Sequence, residues 1–370
     1  MPRIQSFAVA VVVATLVAAC GGSGSTPPAS PSTASASAGA SRAASAPSAG
    51  SASNGGSASP AGSGAGTALV VGLGYIPSVQ FAPFYLAQQK GYYAAEGVAV
   101  TFQNDIDANL IPKVGSGQID VGLADGTSVI PAASQGIPIR YLATIYGKFP
   151  SIVFAKAASG VGSAADLKGR KIGIPGKYGS SWVMLQALLS SAKLSTSDVT
   201  IVEYPDFGQG AAVAQGAVDA ATGFVNNEPV QLEQSGTKAT ILTIDAITPL
   251  PGPGLIAASA TIGAKRAAIA GFVRATLKAM NEIVATPSAG LDASITAVPE
   301  LASQRPLQEA ILAATIGAWS PPGAGSSAAL TGAIDADGWT RSIDYLKTLN
   351  LVASPVATTD VVDPSFTSGS

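Results

Sequence analysis

The chain is 370 residues long, 47% hydrophobic and only 11% charged, with a formal net charge of -2. It has no histidine and one cysteine, which excludes Ser-His-Asp triads, HExxH zinc sites, imidazole relays, intrachain disulfides, Cys-rich zinc modules and iron–sulfur clusters. The balanced charge gives no electrostatic footprint for nucleic acid, and the length leaves room for two domains.

Arg3 precedes an apolar run from Phe7 to Leu16 that reads as an export signal and is too short for a membrane span. Its end, Val17-Ala18-Ala19-Cys20-Gly21, resembles the bacterial lipobox, in which Cys20 becomes an acylated N-terminus; a cleaved, unlipidated signal is the alternative. Residues 1–20 are thus expected to be a lipoprotein signal. Residues 21–66, almost entirely Ser, Ala, Gly, Pro and Thr, cannot bury enough apolar surface to offset the entropy of ordering. They are expected to form a flexible tether with a reach of roughly 35–40 Å.

From Ala68 onward, short β-branched runs alternate with helical segments. Strands are expected at 69–73, 98–102, 119–123 and 139–143, with helices near 84–90, 108–114 and 128–135 between them. A second series opens at Ser163, a suitable N-cap, with Gly169 as a stop, and continues with strands at 171–174, 199–203, 217–223 and 239–242. After the turn-rich 249–254 the pattern becomes helical. Ile269, Phe272, Val273, Thr276, Leu277, Met280, Ile283 and Val284 make one apolar face, and further helices are expected at 307–318 and 339–349.

This alternation implies an α/β clamshell of two lobes, each a mostly parallel sheet flanked by helices. The expected division is 67–155 for the first part of lobe 1, 156–250 for lobe 2, 251–352 for a helical return to lobe 1, and 353–370 for a C-terminal tail. The strandless return would need the first sheet to pack on, so two crossings near Ser151–Lys156 and Gly254–Ala258 would form the hinge.

Four segments carry a resemblance. They are Gly74 to Val98, containing Gln80-Phe81-Ala82-Pro83-Phe84 and Lys90-Gly91-Tyr92-Tyr93; Gly117 to Gly122; Ala165 to Gly173; and Asn226-Asn227-Glu228-Pro229. In this order and spacing they resemble ABC-transporter solute-binding proteins of the branch that binds aliphatic sulfonates, thiamine pyrimidine precursors and riboflavin. The resemblance runs from about Ala68 to Leu349. It implies a periplasmic-binding-protein type II fold, closing on one small molecule.

In open α/β sheets, ligands sit beyond the carboxyl ends of strands, near helix N-termini. Candidate ligand contacts there are Tyr75, Gln80 and Phe81 after the first strand; Asp125, Thr127 and Ser128 after the third; and Tyr178, Gly179, Ser180 and Trp182 in a glycine-rich turn. Asn226, Asn227 and Glu228 end a strand of the second series, and Tyr146 (with Lys148) and Asp206 (with Phe207) are secondary candidates. Packing or capping is the alternative for several of them, notably Phe81, Thr127, Asp125 and Trp182. Phe84 fits a staple onto the sheet, and Trp319 and Trp339 fit core. Glu228, in a charge-poor chain, is the most informative: a carboxylate accepts hydrogen bonds from an aminopyrimidine or an isoalloxazine imide and repels a sulfonate.

The expected function is that of an extracytoplasmic, lipid-anchored receptor for an ABC importer. It would be monomeric, bind a heteroaromatic ligand such as riboflavin, and hand it to a permease, with no cofactor, metal or catalytic residue. A thiamine pyrimidine precursor is the alternative ligand, and an alkyl sulfonate or taurine a third. A surface sensor or adhesin would look the same. The related fungal pyrimidine synthase consumes its own histidine, which this chain lacks.

Overall fold

The computed structural model describes residues 66–367, except 246, 248, 249, 322 and 324–327. The export signal, Cys20 and the tether expected from the sequence lie outside the described residues. Among the described residues no helix is long and apolar enough to cross a membrane.

The first series forms β1 (Thr67–Leu73), α1 (Ala82–Gln89), α2 (Tyr92–Ala95), β2 (Val98–Asn104), α3 (Asp107–Gly115), β3 (Val121–Asp125), α4 (Gly126–Ser134) and β4 (Ile139–Thr144). The second forms β5 (Ser151–Lys156), β6 (Lys171–Ile174), α5 (Gly179–Ser191), β7 (Thr200–Glu203), α6 (Gln209–Gln215), β8 (Ala220–Phe224), α7 (Glu228–Gln234) and β9 (Ala239–Leu242). The chain then returns through β10 (Pro253–Ala258) to α8 (Ser259–Ala285), α9 (Pro287–Ala297), α10 (Arg305–Trp319), α11 (Ala336–Thr348) and α12 (Thr358–Val361).

Strand order is β2-β1-β3-β10-β4 in one sheet and β7-β6-β8-β5-β9 in the other. β10 runs antiparallel to β3 and β4, and β5 antiparallel to β8 and β9; the other neighbours pair in parallel. The architecture is the two-lobed α/β clamshell that the alternating pattern predicts, but each sheet is mixed, with two parallel and two antiparallel pairings, where the sequence implies a mostly parallel one.

The crossings lie beside the expected segments, not within them. Residues Ser151 to Ala155 are buried and Val153 to Ala155 are paired on both sides, so they belong to a central strand of lobe 2. Gly254–Ala258 is likewise central in lobe 1, so the return is not strandless. A run that is apolar on both faces is satisfied only inside a sheet. β4 of lobe 1 ends at Thr144 and β5 of lobe 2 begins at Ser151, while β9 of lobe 2 ends at Leu242 and β10 of lobe 1 begins at Pro253. There the Ile145 and Tyr146 N–H groups donate to Pro253 O at 3.1 and 2.9 Å, and Val225 N–H donates to Pro150 O at 2.9 Å.

The apolar face of α8 covers the first sheet. Ile269, Phe272, Val273, Thr276, Met280 and Ile283 are buried, and the Phe272 ring stacks on Tyr93 at 4.9 Å and lies 6.2 Å from Phe84. Phe84, Trp319 and Trp339 are core residues. A break at Lys265 (φ -125) lets its Nζ reach Asp120 Oδ1 at 2.8 Å and Ala68 O at 3.1 Å, tying the helix to β1.

After residue 352 the chain packs back on lobe 1. Val362 bridges to Tyr141, Phe366 is buried, and the Arg266 guanidinium lies over its ring at 4.5 Å.

Candidate interlobe binding cleft

Segments that follow the carboxyl ends of β1, β3, β6 and β8 line one cavity of about 880 Å³, mouth included. Lobe 1 contributes Tyr75, Gln80, Phe81, Asp125 and Tyr146; lobe 2 contributes Tyr178, Gly179, Ser180, Asn227 and Glu228. All ten are residues that the sequence singles out.

Each wall has a local cause. Ser78 caps a single 3₁₀ turn at Val79–Phe81, accepting from the Gln80 N–H at 3.3 Å, which sets Gln80 and Phe81 before α1. Gly179 starts α5 at φ +65, a left-handed value that a side chain would strain, and so turns Ser180 toward lobe 1. Gly223 lies against Glu228: a Cβ there would fall 2.7 Å from the carboxyl Oε2.

Several polar contacts cross between the lobes. Ser180 Oγ donates to Asp125 Oδ2 at 2.8 Å and accepts from Ser151 Oγ at 2.8 Å. Asn226 Nδ2 donates to Gln80 Oε1 and to Thr315 Oγ1, both at 2.8 Å. The Tyr75 ring meets Phe207 edge-on at 4.8 Å and 82°. Phe207 is held at φ +60, a strained backbone for a bulky side chain, at the turn that presents its ring.

Glu228 is 8% exposed. Its Oε2 accepts from Phe224 N–H at 2.9 Å and its Oε1 from Gln209 Nε2 at 3.1 Å. Burial pushes its carboxyl up to about 7, against which the backbone donors pull down. Burial likewise raises the Tyr75 phenol, with the Glu228 charge adding to it, and raises the Tyr146 phenol, so both stay neutral hydrogen-bonding groups.

Six expected contacts do not line the cavity. Thr127 is fully buried inside α4, and Ser128 lies one residue further along the same helix. Trp182 packs on the lobe 2 core, three residues beyond the start of α5. Asp206 is exposed and accepts from the Gly208 N–H at 3.1 Å, a turn-capping role. Asn226 is fully buried and spends its donors on the bridge to lobe 1. Exposed Lys148 donates to Gly317 O at 2.9 Å.

The cavity also has walls that sequence reasoning missed: Ile106, Leu123, Ser181, Phe224 and, above all, Gln209. Gln209 begins α6 after the end of β7. The rule that ligands gather at helix starts beyond strand ends would have found it. The lining contains two carboxyls, Asp125 and Glu228, six aromatic rings, and no lysine or arginine.

The NMT1/THI5-like family model matches residues 78–290. The riboflavin-binding protein RibY of Chloroflexus aurantiacus is 32% identical over 305 residues, covering 81% of this chain and 86% of its own length. The chain belongs to the NMT1/THI5-like family. The chain is also similar to 4-amino-5-hydroxymethyl-2-methylpyrimidine phosphate synthases. That of Schizosaccharomyces pombe is 29% identical over 154 residues, only 41% of this chain and 43% of the synthase. The alkanesulfonate-binding protein SsuA of Xanthomonas axonopodis pv. citri, solved with MOPS bound, shares the fold at a TM-score of 0.64 and 19% identity, covering 80% of this chain and 98% of that one. The periplasmic-binding-protein fold implied by the sequence is therefore shown, and the two-lobed cleft in this family member is that of a substrate-binding protein.

Proposed function

We propose that this protein captures a planar, uncharged heteroaromatic molecule, riboflavin or a close flavin relative, between its lobes. The observation that carries this reading is the makeup of the cleft: six rings and two carboxyls, with no lysine or arginine. Rings stack on a flat guest, and buried carboxyl, amide and hydroxyl groups read its polar edge. An anionic sulfonate would meet Asp125 and Glu228 with no cation to offset them. The relationship to RibY supports a flavin. A thiamine pyrimidine precursor is the second reading, favoured by the acceptors around Glu228, which suit an aminopyrimidine.

The same reading makes the chain the receptor of an ABC importer. Cys20 would carry the lipid anchor outside the cytoplasm, the 21–66 segment would be its tether, and a permease would receive the closed form. Fluorescence and calorimetric titrations of the full chain with riboflavin, the aminopyrimidine and an alkyl sulfonate test the ligand. Saturable one-site binding of riboflavin is expected; tight binding of the sulfonate alone would overturn the reading.

A further inference from the structure

Gln209 opens α6 at the acidic end of the cleft, with its side chain 1% exposed. Its Nε2 donates to Glu228 Oε1 at 3.1 Å, while its buried Oε1 has no hydrogen-bond partner among the described residues. An orphaned amide oxygen in a buried wall is costly unless something approaches it. The carboxyl beside it is fixed, because Oε2 accepts from Phe224 N–H at 2.9 Å and is packed against Gly223. A terminal amide, by contrast, exchanges donor for acceptor simply by turning over in place.

We propose that Gln209 determines which hydrogen-bond polarity the cleft offers its guest, turning its amide according to whether the neighbouring Glu228 carboxyl carries a proton. This rests on the reading of the cleft as a small-molecule site and deepens it. With Glu228 ionised, its Oε1 takes the amide N–H, and Gln209 Oε1 is left for an N–H or O–H of the guest. With that oxygen protonated, its O–H donates to the turned amide oxygen, and the amide NH2 is left for a carbonyl or ring nitrogen. Burial brings the carboxyl to about 7, so both forms exist near neutrality.

The surroundings leave the exchange to this pair. Tyr75 faces Glu228 from the loop after β1 as a neutral phenol. β8 offers the main chain of Gly223 and Phe224, and Asn227 is uncharged. α6 and β9 carry no ionisable side chain. Asp206, before α6, is exposed and bound to Gly208 N–H. On α7 itself Glu233 is exposed. On α10, which packs against α7, Glu309 is exposed, and exposed Arg305 pairs with Asp292 at 2.7 Å. Among the described residues Glu228 is held by the neutral donors Gln209 Nε2 and Phe224 N–H, and no lysine or arginine pairs with it.

The test uses the full chain, nitrogen-15 labelled and without ligand. The side-chain amide resonances of Gln209, assigned by their loss in Gln209→Leu, are followed between about pH 5.5 and 8.5. They are expected to shift with a single midpoint matching the Glu228 carboxyl, and to stand still in Glu228→Gln. Constant resonances in the wild type, or a titration that persists in Glu228→Gln, would overturn the proposal. Should that variant fail to fold, the carboxyl midpoint of Glu228, read by infrared absorption, is compared between wild type and Gln209→Leu. A turning amide bonds both forms of the carboxyl, so the midpoint is expected to move little. A rise of about one pH unit or more, the mark of a donor that serves the ionised form alone, would overturn the proposal. No guest is added, so the outcome is independent of whether riboflavin binds.

Discussion

Ser180 Oγ, at the start of α5 in lobe 2, donates to Asp125 Oδ2, at the end of β3 in lobe 1, at 2.8 Å. A hydrogen bond to a carboxylate contributes more than a neutral one. Ser180→Ala is therefore expected to lower the unfolding free energy by about 2 kcal/mol, measured by urea denaturation. A change within about 0.5 kcal/mol, the size of an ordinary surface substitution, would show the bridge to be idle.

Phe207 sits at φ +60 and its ring meets Tyr75 across the cleft. Glycine adopts that backbone without strain. Phe207→Gly is expected to hold or raise thermal stability, offsetting the lost ring contact by about 1 kcal/mol of relieved strain, while riboflavin affinity falls roughly tenfold. Equal loss of stability and affinity would mean that the ring serves packing alone.

Glu228 ties stability to pH in the direction opposite to most carboxylates. Its folded pKa, about 7, lies above the ordinary value of 4.5, so between those values the folded state holds a proton that the unfolded state does not. Stability from this group is complete below about pH 4.5 and is lost as pH rises through 7, by about 3 kcal/mol in all. Asp105 and Asp363, whose carboxyls are held low, act in the opposite sense and only as pH falls below the usual aspartate range. Thermal melts of Glu228→Gln against wild type isolate the effect. The variant is expected to gain on wild type from pH 5 to about 7 and to level off above that, and parallel curves throughout would contradict the assignment.

Trp182 and Tyr75 make opposite predictions for binding. The indole packs on the lobe 2 core and the phenol lines the cavity. In titrations with riboflavin, Trp182→Phe is expected to stay within about twofold of wild type, and Tyr75→Ala to lose roughly tenfold or more. A large effect at Trp182 would return it to the site.

Phe366 anchors the short turn at Pro364–Phe366, buried beneath the Arg266 guanidinium. Phe366→Ala is expected to cost about 3 kcal/mol in denaturant unfolding. Wild-type stability in that variant would make the closing segment dispensable.

Much of this fold is legible because strand and helix periods alternate cleanly from Ala68 onward, and because the turns after β1, β3, β6 and β8 carry the aromatic and amide residues. Strand direction is not legible. The doubly apolar runs of β5 and β10 read as connectors, since nothing in a run of Ile, Val, Phe and Ala says which neighbours it will have. The site follows the same division. Tyr75 and Glu228 announce themselves by chemistry in a charge-poor chain, whereas Asn226 and Gln209 differ only in which way a buried amide faces, a matter settled by packing between distant segments.

The placement of β10 between β3 and β4 has a consequence for biosynthesis. Lobe 2 draws its whole sheet from one uninterrupted stretch of chain, β5 to β9, whereas lobe 1 lacks a central strand until residues 253–258 have emerged. The later-numbered lobe is thus able to condense first, and the earlier one waits with the flanks of β3 and β4 bare. Those flanks are the points at which a nascent chain would most readily pair with a neighbour instead of itself.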